Sequence, residues 1–424
     1  MTSRDQEFME QRSMDAQTTV SADRSPIPMR EFVALSAALM ALTALGIDSM
    51  LPALPAIGDS LGVANPNDRQ FVITSFLVGF ACAQLFHGPL ADRFGRRPVL
   101  AGSLILGAVT NVLAAMSGSF TLLLIARFVS GMAVAGARVV TVAMVRDCFA
   151  GRAMARVMSL VFVVFMAAPV LAPAFGQFVL LFAQWRWIFG GLALVITLVL
   201  AWYWLRMPET LDPANRVPLE PMRIAANYRQ VAIDRYSFGY TLAAALISGG
   251  LFGFINSIQQ IMDVIFGRPE LLTLTFACVA GTMALANFTN SRIVLRFGTR
   301  RISHGALIGM ITIAAIHWAV AVTGNETLAS FIILQAMLMG CFGLAASNFS
   351  AMAMENMGRI AGSASALQGF ASTLIGAILG ALIGQRFDGT TVPLYGAFVL
   401  LGLAALGVVF AAERGRLFRS VNAG

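Results

Sequence analysis

The feature that most constrains this chain is a series of long apolar stretches that carry few charges. A stretch of about 20 such residues crosses a bilayer as a helix. Of the 424 residues, 58% are hydrophobic and 12% are charged, whereas soluble domains have about 25% charged residues. The composition therefore excludes a soluble enzyme and a soluble nucleic-acid-binding module. Twelve spans are predicted, at residues 31–56, 68–90, 98–117, 120–145, 155–182, 185–206, 236–264, 270–292, 302–323, 326–351, 361–384 and 391–412.

The arginines predict how these spans are oriented. All 29 basic residues are Arg, and the net charge is +8. When the first residues are placed in the cytoplasm, most of the arginines fall in cytoplasmic segments, as the positive-inside rule requires. The positive charge is therefore a topology signal, and no nucleic-acid partner is needed to explain it. The arginines on the opposite side are Arg69, Arg186, Arg268 and Arg386.

Polar segments divide the chain into two sets of six spans. The longest internal polar segment is rich in proline and follows the sixth span. Its later part has the pattern of an amphipathic helix that lies on a membrane surface. The predicted organisation is a disordered cytoplasmic tail (1–30), an N-terminal six-helix bundle (31–206), a cytoplasmic linker (207–235), a C-terminal six-helix bundle (236–412) and a cytoplasmic tail (413–424).

Two similar turns indicate an internal duplication. The turn after the second span reads Gly-Pro-Leu-Ala-Asp-Arg-Phe-Gly-Arg-Arg over 88–97, and the turn after the eighth reads Ser-Arg-Ile-Val-Leu-Arg-Phe-Gly-Thr-Arg over 291–300. Six spans plus six spans with matching turns is the pattern of a duplicated transporter. The chain is therefore predicted to be an all-α membrane protein with twelve transmembrane helices in two six-helix bundles.

The first turn carries more than positive charge. Gly88 would allow a close helix approach and Gly95 a tight turn. Asp92 can pair with arginines, which would give a latch that closes in one state and opens in another. The alternative is that the arginines only fix topology. Leu295 stands where the first copy has Asp92, which predicts a weaker latch or none in the second half. The candidate latch comprises Gly88, Asp92, Arg93, Gly95, Arg96 and Arg97.

This turn resembles the loop signature of the major facilitator superfamily. Other segments resemble one branch of that superfamily, the Bcr/CflA-type drug:proton antiporters. In the fourth span Ser130 stands where the family has Gln, and in the fifth span Ala and Gln stand where the general antiporter pattern has Gly. The segments are 45–57, 127–131, 145–147, 168–177 and 208–211, and the candidate antiporter motif is Pro169, Pro173 and Gly176.

Asp48 is the one carboxylate predicted to lie well inside a span. Such a residue is a functional candidate because a charge at the bilayer centre costs about 2.5–3.5 kcal/mol. Arg127 is predicted at nearly the same depth, so the two side chains can meet in the bundle interior. Burial favours the neutral acid and a nearby cation favours the carboxylate, so Asp48 with Arg127 is the predicted proton-coupling site. The alternatives are a fixed ion pair, a helix cap at Asp48 and a scaffold charge at Arg127.

Arg138 is predicted to face the same cavity as Arg127. Eleven residues at about 100° per residue return to nearly the same helix face. Arg138 would favour an anionic or zwitterionic substrate if it lines the cavity, and the alternative is that it snorkels to the cytoplasmic surface. The C-terminal half offers neutral amides, which would either line the cavity or bond between helices. The predicted substrate cavity comprises Asp48, Arg138, Asn256, Gln259, Gln260 and Gln335.

The resemblance implies a proton-coupled secondary transporter of a bacterial inner membrane. Its expected activity is multidrug efflux, the export of small amphipathic drugs or metabolites by alternating access, with antibiotic resistance as the consequence. The expected partners are a small-molecule substrate, a proton and the lipid bilayer, with no cofactor beyond the proton, no metal and a monomeric state. No phosphate-binding loop or catalytic motif is found, so an enzyme is not expected. The alternatives are proton-coupled uptake of a small nutrient and a non-transporting membrane sensor.

Overall fold

The computed structural model describes residues 25–418, so predicted features at 1–24 and 419–424 lie outside the described residues. Within that range, twelve helices are long and apolar enough to cross a membrane. The twelve predicted spans are therefore confirmed. The first six are α1 (Met29–Ser60), α2 (Pro66–Phe94), α3 (Arg96–Ala115), α4 (Phe120–Cys148), α5 (Arg156–Leu180) and α6 (Arg186–Arg206).

The C-terminal half repeats this arrangement after a shorter helix, Pro221–Ile233, which lies in the predicted linker. We call it the linker helix. The side chain of Val231 in this helix packs against Met357 and Ala364. The second six spans are α7 (Arg235–Ile265), α8 (Pro269–Phe297), α9 (Thr299–Val322), α10 (Leu328–Ala353), α11 (Ala361–Gly384) and α12 (Val392–Ala412).

Each half uses the same set of helix pairs. In the first half α1 contacts α4, α5 and α6, while α4 also contacts α2 and α3, and α3 contacts α6. In the second half α7 contacts α10, α11 and α12, while α10 also contacts α8 and α9, and α9 contacts α12. The halves meet where α2 packs on α11 and α5 packs on α8. The duplication seen in the two turns therefore extends to the packing of both bundles.

The helix ends form two opposite sides of the molecule. On one side the turn between α2 and α3 bonds to the end of α4, because Arg96 pairs with Asp147 at 2.9 Å. On the other side the indole nitrogen of Trp185, before α6, donates to the hydroxyl of Ser60 at 2.8 Å. We call the first side, which carries both similar turns, the motif side. We call the opposite side the far side.

Glycines allow α2 and α4 to pack backbone against backbone. A Cβ added at Gly79 would overlap the carbonyl oxygen of Phe128, and one added at Gly131 would overlap the carbonyl oxygen of Phe76. Neither obstacle is a flexible side chain, so the helices would have to separate. This contact holds α4, which carries Arg127 and Arg138, against the rest of the N-terminal half.

We predict that Gly131→Ala destabilises the protein by about 1–3 kcal/mol, because overpacking a close helix contact costs that much. Gly102→Ala is the matched control, since a Cβ there meets no atom within 4 Å. The free energy of unfolding in detergent measures both changes. Equal free energies of unfolding for Gly131→Ala and Gly102→Ala would contradict a close contact between α4 and α2 at Gly131.

Candidate substrate and proton site

Asp48 lies where α1 changes direction. The first helical segment ends at Asp48, and a 3₁₀ turn over Leu51–Ala53 follows before the helix resumes. The side chain of Asp48 is 5% exposed, and its Oδ1 atom has no hydrogen-bond partner. Within the described residues no cation lies within ion-pair distance of it. A carboxylate buried in this way is unusual, because buried charges are normally paired.

Arg127 is fully buried beside α1 but does not pair with Asp48. Its Nη2 atom donates to the carbonyl of Gly46 at 2.6 Å, and its Nε atom donates to the carbonyl of Val72 at 3.1 Å. Its guanidinium lies over the ring of Phe76, with the carbon 4.5 Å from the centroid. The expectation that the two side chains meet is therefore wrong for this conformation, and so is the alternative of a fixed ion pair. Two backbone carbonyls, which no sequence pattern reveals, accept hydrogen bonds from the arginine instead.

Arg138 faces the protein interior and is exposed there. Leu122 and Ile125 mark the outer face of α4, since they are 48% and 56% exposed. They lie about 160° and 140° around the helix from Arg138. The guanidinium carbon of Arg138 lies 6.0 Å from the ring centroid of Phe80 on α2. Arg138 therefore borders an open space between helices.

A stripe of α1 also borders open space. Ala34 is exposed, and Ala38, Ala41 and Leu45 are half-buried at successive turns of the same helix face. The stripe begins near the motif side and ends one turn before Asp48. Asp48 therefore lies at the closed end of an accessible apolar path.

Hydrogen bonds between the halves close the far side. The side chain of Gln260 on α7 donates to Asn67 at 2.8 Å and accepts from Gln70 at 2.6 Å. Asn67 also donates to the carbonyl of Gln385 at 3.2 Å, and Gln70 donates to that of Gly384 at 3.3 Å. We call this network of Asn67, Gln70, Gln260, Gly384 and Gln385 the far-side gate. Arg138 is exposed on the motif-side part of the molecule, beyond this gate. The structure is therefore closed on the far side and accessible from the motif side.

Three of the four predicted amides in the C-terminal half bond to protein groups. Gln260 belongs to the far-side gate, and Gln259 donates to Asp263 one turn along its own helix at 3.3 Å. Gln335 is fully buried within the C-terminal bundle, where it accepts from the hydroxyl of Tyr395 at 3.0 Å. The prediction that Gln260 and Gln335 line an open cavity is wrong for this conformation. Asn256 is 1% exposed, and neither its oxygen nor its nitrogen has a partner.

The candidate latch forms a charge cluster at the motif side. Arg96 is 2% exposed and pairs with Asp92 at 2.5 Å and with Asp147 at 2.9 Å. The carboxylate of Glu209, after α6, accepts from the backbone nitrogens of Arg96 and Arg97 at 2.9 and 3.1 Å. Carboxylates are favourable at a helix N-terminus. The cluster therefore fastens the start of α3 to the ends of α4 and α6.

Among the other latch residues, Gly95 and Arg97 make contacts that shape the turn, whereas within the described residues Arg93 and Gly88 do not. Gly95 has a φ of 102°, which requires glycine, and a Cβ there would overlap Glu209. Arg97 donates to the carbonyl of Trp204 at 2.8 Å and lies over its ring. Arg93 is exposed. The predicted close approach at Gly88 is wrong in this conformation, because a Cβ there meets no atom within 4 Å.

The candidate antiporter motif packs directly on the Asp48 turn. The second helical segment of α5 starts at Ala168 with Pro169 in its first turn, and Pro173 is buried within it. A Cβ on Gly176 would overlap the carbonyl oxygen of Ser49 and lie 2.9 Å from Pro52. Gly176 therefore allows α5 to touch the backbone immediately after Asp48.

The C-terminal half has its own charge cluster at the motif side. Arg300 is 6% exposed and pairs with Glu413 at 2.8 Å and with Glu355 at 3.0 Å. The hydroxyl of Tyr240 donates to Glu413 at 2.5 Å and lies 3.1 Å from a ring nitrogen of His304. The prediction that the second half has a weaker latch or none is wrong, because this charge cluster is present. The carboxylates come from the chain after α10 and α12, and Leu295, which replaces Asp92, is 93% exposed.

A second ionisable cluster in this half was missed by the sequence analysis. His317 is fully buried, and its Nε2 atom lies 2.6 Å from the carboxylate of Glu326. Thr391 donates to the other oxygen of Glu326, and the ring of Tyr395 stacks on His317 at 3.4 Å. Glu326 follows α9 by four residues and is the first residue of the tenth predicted span, 326–351. The segment between α9 and α10 folds back onto α9, and only this arrangement brings Glu326 next to His317.

Comparison with known proteins decides the family. The pattern of the Major Facilitator Superfamily matches residues 36–381. The chain belongs to this superfamily. Its members are transporters, so the chain is a multi-pass membrane transporter rather than an enzyme.

Named relatives agree with this assignment. The bicyclomycin resistance protein homolog of Haemophilus influenzae is 33% identical over 385 residues, which cover 88% of this chain and 94% of the relative. Multidrug resistance protein MdtL of Escherichia coli is 29% identical over 263 residues, which cover 62% of this chain and 66% of the relative. The predicted resemblance to the Bcr/CflA branch is therefore confirmed.

The fold is shared with a solved transporter structure. A bacterial homolog of the human lysosomal transporter Spinster, in an inward-facing and occupied conformation, aligns with a TM-score of 0.72 and 16% identity. The alignment covers 94% of this chain and all of that one. The transporter fold predicted from the repeated turns is thus confirmed.

We predict that Gln260→Ala weakens the far-side gate, since the change removes two hydrogen bonds between the halves. Each bond contributes about 0.5–1.5 kcal/mol, so the population open on the far side should rise about fivefold or more. Double electron–electron resonance, which gives the distances between spin labels placed at Ala64 and Asp388, would measure that population. Gln259→Ala is the matched control, and a similar distance distribution in both variants would argue against the gate.

We predict that Arg300→Met destabilises the protein by about 3–5 kcal/mol, because Glu413 and Glu355 lose the cation that pairs them. Adding Glu413→Gln should recover part of the loss. Arg301→Met, at an exposed neighbour, should change the free energy of unfolding by about 0.5 kcal/mol or less. A neutral effect of Arg300→Met in denaturant titrations would show that the cluster contributes little.

Proposed function

We propose that this chain is a proton-coupled exporter of small amphipathic drugs or metabolites in a bacterial inner membrane. The motif side would face the cytoplasm, in agreement with the distribution of arginines, and the termini would be cytoplasmic. The family membership and the drug-resistance relatives support an exporter. A monomer is sufficient for this function, because both halves of the transporter are in one chain.

The observation that carries the proposal is the unpaired carboxyl group of Asp48. An ionised carboxylate that is buried without a partner is costly, and a bound proton removes that cost. Asp48 lies between the accessible path of α1 and the closed far side. A rocking motion of the two halves would end this burial and expose the group to the opposite side. Alternating exposure of a protonatable group is the requirement for proton coupling.

The proposed cycle uses the motif-side-open state as the step at which the proton is released. Substrate enters from the cytoplasm as Asp48 gives up its proton. The carrier then closes on the motif side and breaks the far-side gate. A proton from the outside binds Asp48, the substrate leaves, and the protonated carrier returns. The membrane potential supplies about 2.3 kcal/mol per 100 mV for each charge moved.

Arg127 and Gly176 would act by positioning Asp48. Arg127 bonds to the carbonyl of Gly46, two residues before Asp48. Gly176 packs on the carbonyl of Ser49, one residue after it. Helices α4 and α5 therefore both hold the turn that carries the acid. The Arg96 cluster would act as the latch, intact in this state and loosened when the motif side closes.

We predict that Asp48→Asn abolishes proton-coupled export. Asn has nearly the same size but cannot ionise, so the variant should fold and bind substrate while a pH gradient no longer drives flux. Proteoliposomes with an imposed pH gradient and a panel of amphipathic drugs measure this directly. Gradient-driven flux should fall at least about 100-fold, which corresponds to about 2.7 kcal/mol at the rate-limiting step.

The matched control is Asp59→Asn, which removes a carboxylate from the exposed far end of α1. Asp59 pairs with Arg69 at 2.9 Å and its side chain is 72% exposed, so its loss should leave coupling intact. Undiminished coupling in Asp48→Asn would remove Asp48 as the proton site. Proton-driven accumulation of substrate by whole cells would favour uptake over export.

A further inference from the structure

Arg138 lies deep in the protein, close to the ring of Phe80. Phe80 lies fourteen residues before the motif-side end of α2 at Phe94, which is about 21 Å along the helix. The guanidinium carbon is 6.0 Å from the Phe80 ring centroid. A side chain that snorkelled to the membrane surface would be far from this ring. The charge of Arg138 therefore lies within the membrane-spanning region, on the interior face of α4.

Apart from the nearby Phe80 ring, this charge has no partner among the described residues. No hydrogen bond or ion pair joins Arg138 to another group between residues 25 and 418. The other interior arginine, Arg127, bonds to two backbone carbonyls. An unpaired charge at this depth is costly, and such residues mark substrate pathways in membrane proteins.

The carboxylates of the N-terminal half are used elsewhere. Glu31 pairs with Arg206 at 2.7 Å, and Asp92 and Asp147 pair with Arg96. Glu209 caps the start of α3. Asp48 lies near the level of Arg127, and the eleven residues from Arg127 to Arg138 span about 16 Å. Among the described carboxylates of the N-terminal half, none therefore lies beside Arg138 as a counter-ion.

We propose that Arg138 binds an anionic group of the transported molecule, so that the substrates are amphipathic acids, with carboxylates as the simplest case. Arg offers a planar pair of donors that matches a carboxylate. Phe80 beside the guanidinium and the alanines of the α1 stripe provide apolar surface for the rest of the molecule. This inference rests on the proposed transport function and names the substrate class.

Equilibrium binding without a proton gradient tests this inference separately from proton coupling. The full chain, in a non-ionic detergent, is titrated with 1-naphthoate and with its neutral amide, 1-naphthamide. A ligand that binds the folded state raises the unfolding temperature, and at a given concentration the rise is larger for a tighter ligand. We expect the acid to stabilise the protein more than the amide. A failure of drug export or coupling in proteoliposomes would leave this result unchanged.

Variants of Arg138 assign the preference to this residue. Arg138→Gln should weaken naphthoate binding about tenfold or more, because a charged hydrogen bond is lost, while naphthamide binding stays the same. Arg138→Lys should retain part of the preference. Arg146→Gln, at an exposed position near the end of the same helix, is the matched control and should bind like the parent. The unliganded unfolding temperature of each variant shows whether it is folded.

Three results would overturn the inference. The first is an equal shift of the unfolding temperature by the acid and the amide. The second is the lack of a shift by either compound at millimolar concentration. The third is an acid preference that survives in Arg138→Gln, which would place the anion at another residue.

Discussion

Charged groups inside a membrane protein must be paired or solvated, and this constraint organises the structure. Arg96 and Arg300 each pair with two carboxylates at the motif side, and His317 bonds to Glu326 near the far side. These clusters fasten helix ends together. Asp48 departs from the rule, whereas Arg138 meets it only through the open space that it borders. In the proposed transport cycle, the proton and the substrate supply the partners that these two groups lack.

The duplicated frame has been conserved in packing but not in charge. Both halves use the same helix pairs, and each has a buried arginine at the start of its third helix. In the first half Asp92, from the preceding turn, supplies one of the two carboxylates. In the second half Glu355 and Glu413 supply both. The same mechanical requirement, a tie between helix ends, is therefore met by different residues.

Close backbone contacts make the acid site possible. Glycines bring α4 against α2, and Gly176 brings α5 against the turn after Asp48. Small residues let helices approach in a membrane, where van der Waals packing replaces the hydrophobic driving force. The turn that carries Asp48 is thus packed against neighbouring backbone, and the acid has no counter-ion among the described residues. Packing of this kind can change when the helices move.

Local composition and helical periodicity were enough to predict the twelve spans, the duplication and the positions of Asp48 and Arg138 along their helices. They did not determine which groups meet across helices. The carbonyl partners of Arg127, the bond between Gln260 and Asn67 and the pair His317–Glu326 depend on the rotation and axial shift of neighbouring helices. Those variables are set by packing over the whole bundle, so only the tertiary structure decides them.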